Sequence, residues 1–281
     1  MKRRTKMFIG SLLVVLVLAF LVFLLVPSQV ETRFRAIEAE VVQPQLGHEE
    51  VFTLKELEEY PQAIQKFFIN GGFIGKPKMI GIKAYFPNTP FSLGQNKPTI
   101  NIDYTQINRA DKPIRYAKIS SRIYGLPFEG LDSFSEGTGS MEGYIAKFIR
   151  LFNQTGEYMD KACLVTYLAE AFFLPTVALS DAITYEEIDA LTIKATMKAY
   201  EIEVSGIFTF AETGEMLSFT TEDRMAAGMD GTIEQIPWTA ECSDYVMLDG
   251  LLVPSSLKAI WHYPEGDLVY FDGKDVHITY F

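Results

Sequence analysis

Cysteine and histidine are scarce: only Cys163 and Cys242, and His48, His262 and His277, occur in 281 residues. Two cysteines exclude a disulfide scaffold, so a folded domain must be held by burial, for which 48% hydrophobic residues suffice. The pair can form one disulfide in an exported domain or remain as two buried thiols, and both stay open. No His-x-x-x-His pair and no Cys-x-x-Cys is present, which removes the common zinc sites. His262 and His277 fall in strand-like stretches and are expected to face solvent or to be hydrogen-bonded. The Gly-x-Ser-x-Gly turn of common hydrolases is also missing. The run Gly137-Thr138-Gly139-Ser140-Met141-Glu142-Gly143 lacks the spacing of a dinucleotide fingerprint and is followed by alternating residues rather than a helix, so it predicts a hairpin turn.

Positive charge is short everywhere except at the start. The net charge is −11, and the first six residues hold four positive charges (Lys2, Arg3, Arg4 and Lys6), which leaves −15 for the rest. Such a remainder is a poor nucleic-acid binder and should be repelled by anionic lipid headgroups except near Arg33 and Arg35. Carboxylates cluster at Glu186, Glu187 and Asp189 and at Asp267, Asp272 and Asp275. Neither cluster has the ligand positions of a calcium loop, so both predict solvated sheet edges, and no cofactor is expected.

Met7 to Val26 contains no charge and no proline. A helix of that length spans roughly 30 Å, the apolar thickness of a bilayer. The basic residues before it predict a cytoplasmic N-terminus. The run exceeds the usual signal-peptide core, and Leu25-Val26-Pro27-Ser28-Gln29 is a poor cleavage site, so an uncleaved anchor is expected. The absence of a following cysteine excludes a lipoprotein. The predicted organisation is a cytoplasmic tail over 1–6, a transmembrane anchor over 7–26, a stalk and linker over 27–47, and an extracytoplasmic β-rich domain over 48–281, on the outer side of the cell membrane.

Phe34, Ile37 and Val41 have helical spacing, which predicts a stalk helix over Glu31–Val42, with a linker at Gln43–Gly47. Thr53 and Glu56 form a capping box, and two short helices follow up to Gly71-Gly72. From Lys78 the period becomes two. Ile100, Ile102 and Tyr104 alternate with polar residues, as do Ile202, Val204, Phe208 and Phe210, and Val276, Ile278 and Tyr280. About ten antiparallel strands are expected. One helix, Glu157–Phe173, carries Leu164, Val165, Leu168 and Phe172 on a stripe and is expected to end at Pro175. The fold class is therefore α+β: a predominantly antiparallel sheet curled around an amphipathic helix as a half-barrel or barrel-like body, preceded by one transmembrane helix.

The run Tyr167-Leu168-Ala169-Glu170 with Pro175 resembles a helix motif of a family of bacterial membrane-anchored proteins classed as a domain of unknown function. The likeness continues through Thr221-Glu222-Asp223-Arg224, Pro237-Trp238, Ser243-Asp244-Tyr245, Gly250, Val253-Pro254 and Trp261, over about the last 145 residues, a span taken from the motif positions. Phe173 departs from the pattern, where a tryptophan is expected. The resemblance implies an antiparallel β domain behind an anchor, similar to curved-sheet carriers of lipids or lipoproteins, and supplies no catalytic residue.

Tyr167 and Glu170 lie three apart and share a helix face. With Glu222, Arg224, Trp238 and Tyr245 they form the candidate ligand-binding set, lining a concavity between sheet and helix. The competing structural expectation pairs Arg224 with Glu170 or Asp244 and places Trp238 in the core. Three functions follow. The first is non-enzymatic binding of a hydrophobic or lipid-like envelope ligand. The second is an interaction or regulatory subunit docking on another membrane protein. The third is a hydrolase using carboxylates around Glu170 and Glu222.

Overall fold

The computed structural model describes residues 2–43, 50–228 and 231–281. The expected linker, except Gln43, and His48 lie outside them. Helix α1 (Lys2–Leu25) leaves its side chains from Met7 to Leu18 exposed. It is long and apolar enough to cross a membrane, a property shared by anchors and signal sequences. Pro27 separates it from α2 (Gln29–Val41), whose N-cap Ser28 accepts a hydrogen bond from the Glu31 amide at 2.9 Å. Helix α3 (Leu54–Leu57) starts with the expected Thr53–Glu56 capping box, and α4 (Gln62–Asn70) follows.

The strands then run β1 (Gly81–Ser92), β2 (Thr99–Arg109), β3 (Ile114–Ile123), β4 (Leu126–Ser135), β5 (Thr138–Ile145) and β6 (Ile149–Thr155). Helices α5 (Glu157–Ala169) and α6 (Pro175–Ala178) interrupt them. The second series is β7 (Ile183–Glu187), β8 (Thr192–Ala199), β9 (Ile202–Phe210), β10 (Met216–Thr221), β11 (Met225–Ala227), β12 (Ile233–Gln235), β13 (Trp238–Leu248), β14 (Leu251–Tyr263), β15 (Gly266–Gly273) and β16 (His277–Tyr280).

All pairings among the named strands are antiparallel. Thirteen strands follow one path, β6-β5-β4-β3-β2-β1-β15-β14-β13-β10-β9-β8-β7, with β16 added beside β1 and β11-β12 forming a separate hairpin. Strands β6 and β7 end the path without meeting, so the sheet is a half-barrel and not a closed one. The exposed Glu186 and Glu187 sit on edge strand β7, where charge opposes strand addition. Among the described residues there are sixteen strands against about ten expected. Breaks in alternation hide several: β1, for example, shifts register between Phe86 and Thr89, where Asn88 takes a left-handed conformation.

The glycine-rich run is the predicted hairpin, with Glu136 and Gly137 both at positive φ between β4 and β5. Gly139 has a second task. A Cβ there would meet the Met159 carbonyl oxygen at 2.6 Å, so the glycine lets α5 approach β5.

Helix α5 is buried on all sides from Ala162 to Ala169, beyond the single apolar stripe expected. It ends at Ala169 rather than Phe173, because Glu170 turns out of the helix and Pro175 opens α6 instead of closing α5. Aromatic contacts tie α4 and the chain after α5 to the sheet: the ring centroid of Phe172 lies 5.0 Å from that of Phe67, 4.8 Å from Phe208 and 5.1 Å from Phe210.

Residues 29–41 are a packed element rather than a free stalk. Val30, Phe34 and Val41 cover Ile107, Leu131 and Tyr144 on the convex side of β2, β4 and β5. Ion pairs run along the seam: Glu31 with Lys118 at 2.6 Å, Arg33 with Glu142, and Glu38 with Lys83. Arg33 is thus engaged by the sheet rather than left for lipid. Burial opposes ionisation of Glu31, but hydrogen bonds from Lys118 and Arg35 outweigh it and hold its carboxyl below the usual range.

Phe34 is 2% exposed, so Phe34→Ala in the full chain should cost about 3 kcal/mol in urea unfolding. A change within about 0.5 kcal/mol, typical of an exposed site, would show that α2 stands free of the sheet.

Candidate functional site

Two arginines reach the concave side of the sheet, and their surroundings differ. Arg115, 4% exposed, projects from β3 in the same alternation as Ala117 and Ile119. Its Nε donates to the Glu170 carboxylate at 3.0 and 3.1 Å, Nη1 donates to Asp132 at 2.5 Å and Nη2 donates to the Tyr104 hydroxyl at 2.6 Å. Asn108 donates to Glu170 Oε2 at 2.7 Å, an oxygen it shares with Arg115, and accepts from Gln106 at 3.2 Å. Burial alone would lower the Arg115 pKa, but Glu170, Tyr104 and Asp132 outweigh it and keep the guanidinium charged. Glu170 is the residue at which α5 ends, so this cluster fixes the helix terminus to β2, β3 and β4.

Arg224 lies at the turn before β11. Its guanidinium carbon sits 4.6 Å from the ring centre of Trp238, 4.9 Å from Trp261 and 5.9 Å from Tyr270. Trp238 and Trp261 are register partners on β13 and β14, which sets the two indoles side by side. The Tyr270 hydroxyl accepts from Arg224 Nη1 at 2.8 Å and from Trp238 Nε1 at 3.1 Å. Arg224 Nε is buried without a hydrogen-bond partner, and among the described residues no carboxylate pairs with this cation. The preceding residue positions it: Asp223 accepts from the Ser205 amide at 2.7 Å and from Lys161 of α5 at 2.8 Å. Although burial pushes the Asp223 carboxyl up, the Lys161 and Ser205 hydrogen bonds bring it below the usual range.

The concavity itself is filled. The side chains of α4, α5 and α6 pack continuously against the inner face of the sheet from Phe86 to Phe271. This corrects the expectation of an open apolar hollow there: α5 is wide enough, once buried on all sides, to occupy it. Open space is found instead in a cleft of about 330 Å³ between β6 and the β11-β12 hairpin. Leu151, Phe152 and Tyr158 form one side and Ala227 and Ile233 the other. Gln154 donates to the Gly228 carbonyl at 3.2 Å across it. Ala227 follows Arg224 by three residues, so the caged arginine stands about 10 Å from the cleft along an extended chain.

The six expected site residues therefore separate. Arg224 and Trp238 belong to the cage. Glu170 belongs to the Arg115 cluster, and pairs with neither Arg224 nor any residue near it in sequence. Tyr167 is 2% exposed and donates to the Arg109 carbonyl at 2.6 Å, and Tyr245 donates to the Met216 carbonyl at 2.6 Å. Both hydroxyls are occupied within the core, with pKa values raised chiefly by burial. Glu222 is exposed, and shares no partner with Glu170. Trp261, Tyr270 and Asp223 complete the cage without having been in the expected set.

Cys163 and Cys242 are free and buried, and burial pushes the Cys242 thiol up to about 12. His262 donates or accepts at both nitrogens, 2.8 Å from Thr239 Oγ1 and 2.7 Å from Asp267. That order resembles a nucleophile relay, but Thr239 is 7% exposed and shares its hydroxyl with Thr220. Among the described residues no three His, Cys, Asp or Glu side chains converge to hold a metal.

Arg115→Met leaves Glu170 and Asp132 facing an uncharged side chain and should cost about 3–5 kcal/mol in urea unfolding. Adding Glu170→Met should recover part of that loss, because only the less buried Asp132 is then left without its cation. Losses that simply add would show that the two side chains act independently.

Similar solved structures include a LolA superfamily protein from Nitrosomonas europaea, 9% identical over 76% of this chain and 92% of that one, with a TM-score of 0.39. Another is a DUF1329 family protein from Desulfovibrio piger, 12% identical over 72% and 86% of the two chains, with a TM-score of 0.40. No curated protein matches the sequence. Residues 50–273, from just before α3 to the end of β15, match the model of a family of unknown function, DUF6544, and the chain belongs to that family.

Proposed function

We propose that this protein is a membrane-tethered, extracytoplasmic binding protein for an amphiphilic, lipid-like envelope ligand with an anionic group. The observation that carries this reading is the Arg224 guanidinium, held by three aromatic rings and, among the described residues, paired with no carboxylate. A half-buried cation without a counter-charge favours an incoming anion, and phosphate or carboxylate matches its donor geometry. The apolar portion of the ligand would lie in the cleft, against Leu151, Phe152 and Ile233. Binding rather than turnover fits the engagement of both Glu170 oxygens by Arg115 and Asn108, and neither Glu170 nor Glu222 lines the cleft.

The tether is α1, with residues 1–6 in the cytoplasm, residues 7–26 in the bilayer, residues 27–47 next to it and the domain from residue 48 outside. The exposed Met247, near the end of β13 where it pairs with Leu252 of β14, offers a reporter of this topology. An impermeant maleimide applied to intact cells should label Met247→Cys; labelling only after lysis would reverse the orientation. The filled concavity and the exposed Phe148 and Tyr124 favour a second reading, a subunit docking on another membrane protein.

Native mass spectrometry and lipid extraction of the full chain, purified in mild detergent, separate the two. An anionic amphiphile at about one per chain is expected, with at least a tenfold loss in Arg224→Met. The variant should unfold within about 1–2 kcal/mol of wild type, since only cation-π contacts and one hydrogen bond are removed. Equal lipid content in both proteins, or none in either, would sink the ligand reading.

A further inference from the structure

We infer that the turns joining β3 to β4 and β5 to β6 form a basic-aromatic foot that docks on an anionic bilayer surface. The inference rests on the reading of α1 as a membrane anchor. Lys147, in the β5-β6 turn, donates to the carbonyls of Phe23 at 2.5 Å and Val26 at 2.6 Å, and its ammonium lies 4.9 Å from the centre of the Phe23 ring. The turn therefore caps the end of α1, where the last carbonyls of a helix lack intrahelical partners. If α1 crosses the bilayer, this turn sits at the level where the chain leaves it.

The side chains displayed around that point suit an interface. Tyr124 is fully exposed, Phe148 is 62% exposed, and Ile149 and Leu126 are exposed beside them. The two turns are neighbours, because β4 pairs with both β3 and β5, with Leu126 opposite Ile123 and Phe128 opposite Ile145. Arg122, Lys147 and Arg150 flank the apolar group, and neither residues 114–128 nor residues 143–152 contain an Asp or Glu. In a chain of net charge −11 that is a local reversal of sign. Aromatic rings seat at the headgroup level and the adjoining cations favour anionic lipids. A protein partner would leave the contact with the end of α1 unexplained, whereas a lipid surface accounts for it.

The foot also adjoins the ligand cleft. Edge strand β6 begins at Ile149 in the foot, and its Leu151 and Phe152 line the cleft. At about 3.3 Å per residue the two are separated by roughly 7–10 Å. An amphiphile leaving the adjoining leaflet would reach the cleft along one strand.

The test uses the full chain, reconstituted into vesicles of neutral phosphatidylcholine with or without 30% phosphatidylglycerol, roughly the anionic fraction at which electrostatic attraction is readily seen. A polarity-sensitive fluorophore is attached at Phe148→Cys or, as the control, at Met247→Cys; both native thiols are buried. The expected result is a blue shift at position 148 that grows with phosphatidylglycerol and quenching by lipids spin-labelled near the headgroup, with neither at position 247. An aqueous spectrum at 148 in a protein that resists carbonate extraction overturns the foot and leaves the anchor intact. Extraction by carbonate removes the anchor and the foot with it. A shift of the same size in both vesicle types overturns the assignment of an anionic surface.

Discussion

A helix placed inside a curved sheet has no water to satisfy its last carbonyls or to solvate a charge at its end. In this fold that difficulty is concentrated at Glu170, where α5 stops. Its carboxylate is accommodated because Arg115 and Asn108 donate to it, while Asp132 and Tyr104 accept from the other nitrogens of the same guanidinium and hold it in place. A buried ion pair of this kind is weak evidence for net stability but strong evidence for register, since any slip leaves a charge unpaired in an apolar space. Shifting β3 by one residue would turn Arg115 to the convex side and bring its neighbours Ile114 and Tyr116 inward. The cluster thus fixes at once where the helix ends, which face of β3 is inside, and how β2, β3 and β4 align.

Much of this half of the fold can be seen in the sequence once the strand phase is set. Ile100, Ile102 and Tyr104 define the inward face of β2, and the same phase carried forward places Gln106 and Asn108 inside, where both are buried. Polar residues at inward positions signal an internal network, and Arg115 in phase with Ala117 and Ile119 is its cation. The partner of Glu170 was nevertheless not legible as Arg115, because 55 residues separate the two and only the sheet path brings β3 over α5. The cage was half legible: the Pro237-Trp238 and Trp261 motifs mark two of its walls, and Arg224 its centre. Tyr270 carries no local signal, since its inward position depends on the register shift between β14 and β15 at Ala259 and Ile260.

The convex face teaches a different lesson about α2. Helical spacing of Phe34, Ile37 and Val41 establishes an amphipathic helix but not what its apolar stripe meets. Ile107 and Leu131 are the counterparts, apolar residues in the outward phase of strands whose other outward residues are polar. Two such mismatches, on β2 and β4 with only β3 between them, call for a cover. Because α2 follows α1 after only Pro27, Ser28 and the short break around them, packing of α2 on the sheet also restrains the domain relative to α1. The Lys147 contacts at the end of α1 add a second restraint from the opposite side of that break.

Arg115 and Arg224 make the functional argument by contrast. Both are arginines within an aromatic-rich sheet interior, and both donate to a tyrosine hydroxyl. Arg115 has two carboxylates in contact, so its charge is spent on architecture and an added anion would have to displace one of them. Among the described residues Arg224 meets rings and no carboxylate, and the acid next to it in sequence, Asp223, is turned toward Ser205 and Lys161. Aromatic faces stabilise a guanidinium without neutralising it, which preserves its attraction for an anion while keeping water away from its planes. A cation serving only the fold gains more from a carboxylate than from this arrangement. The distribution of the acids, more than the presence of the arginine, is what supports the proposal of a charged ligand at the cage.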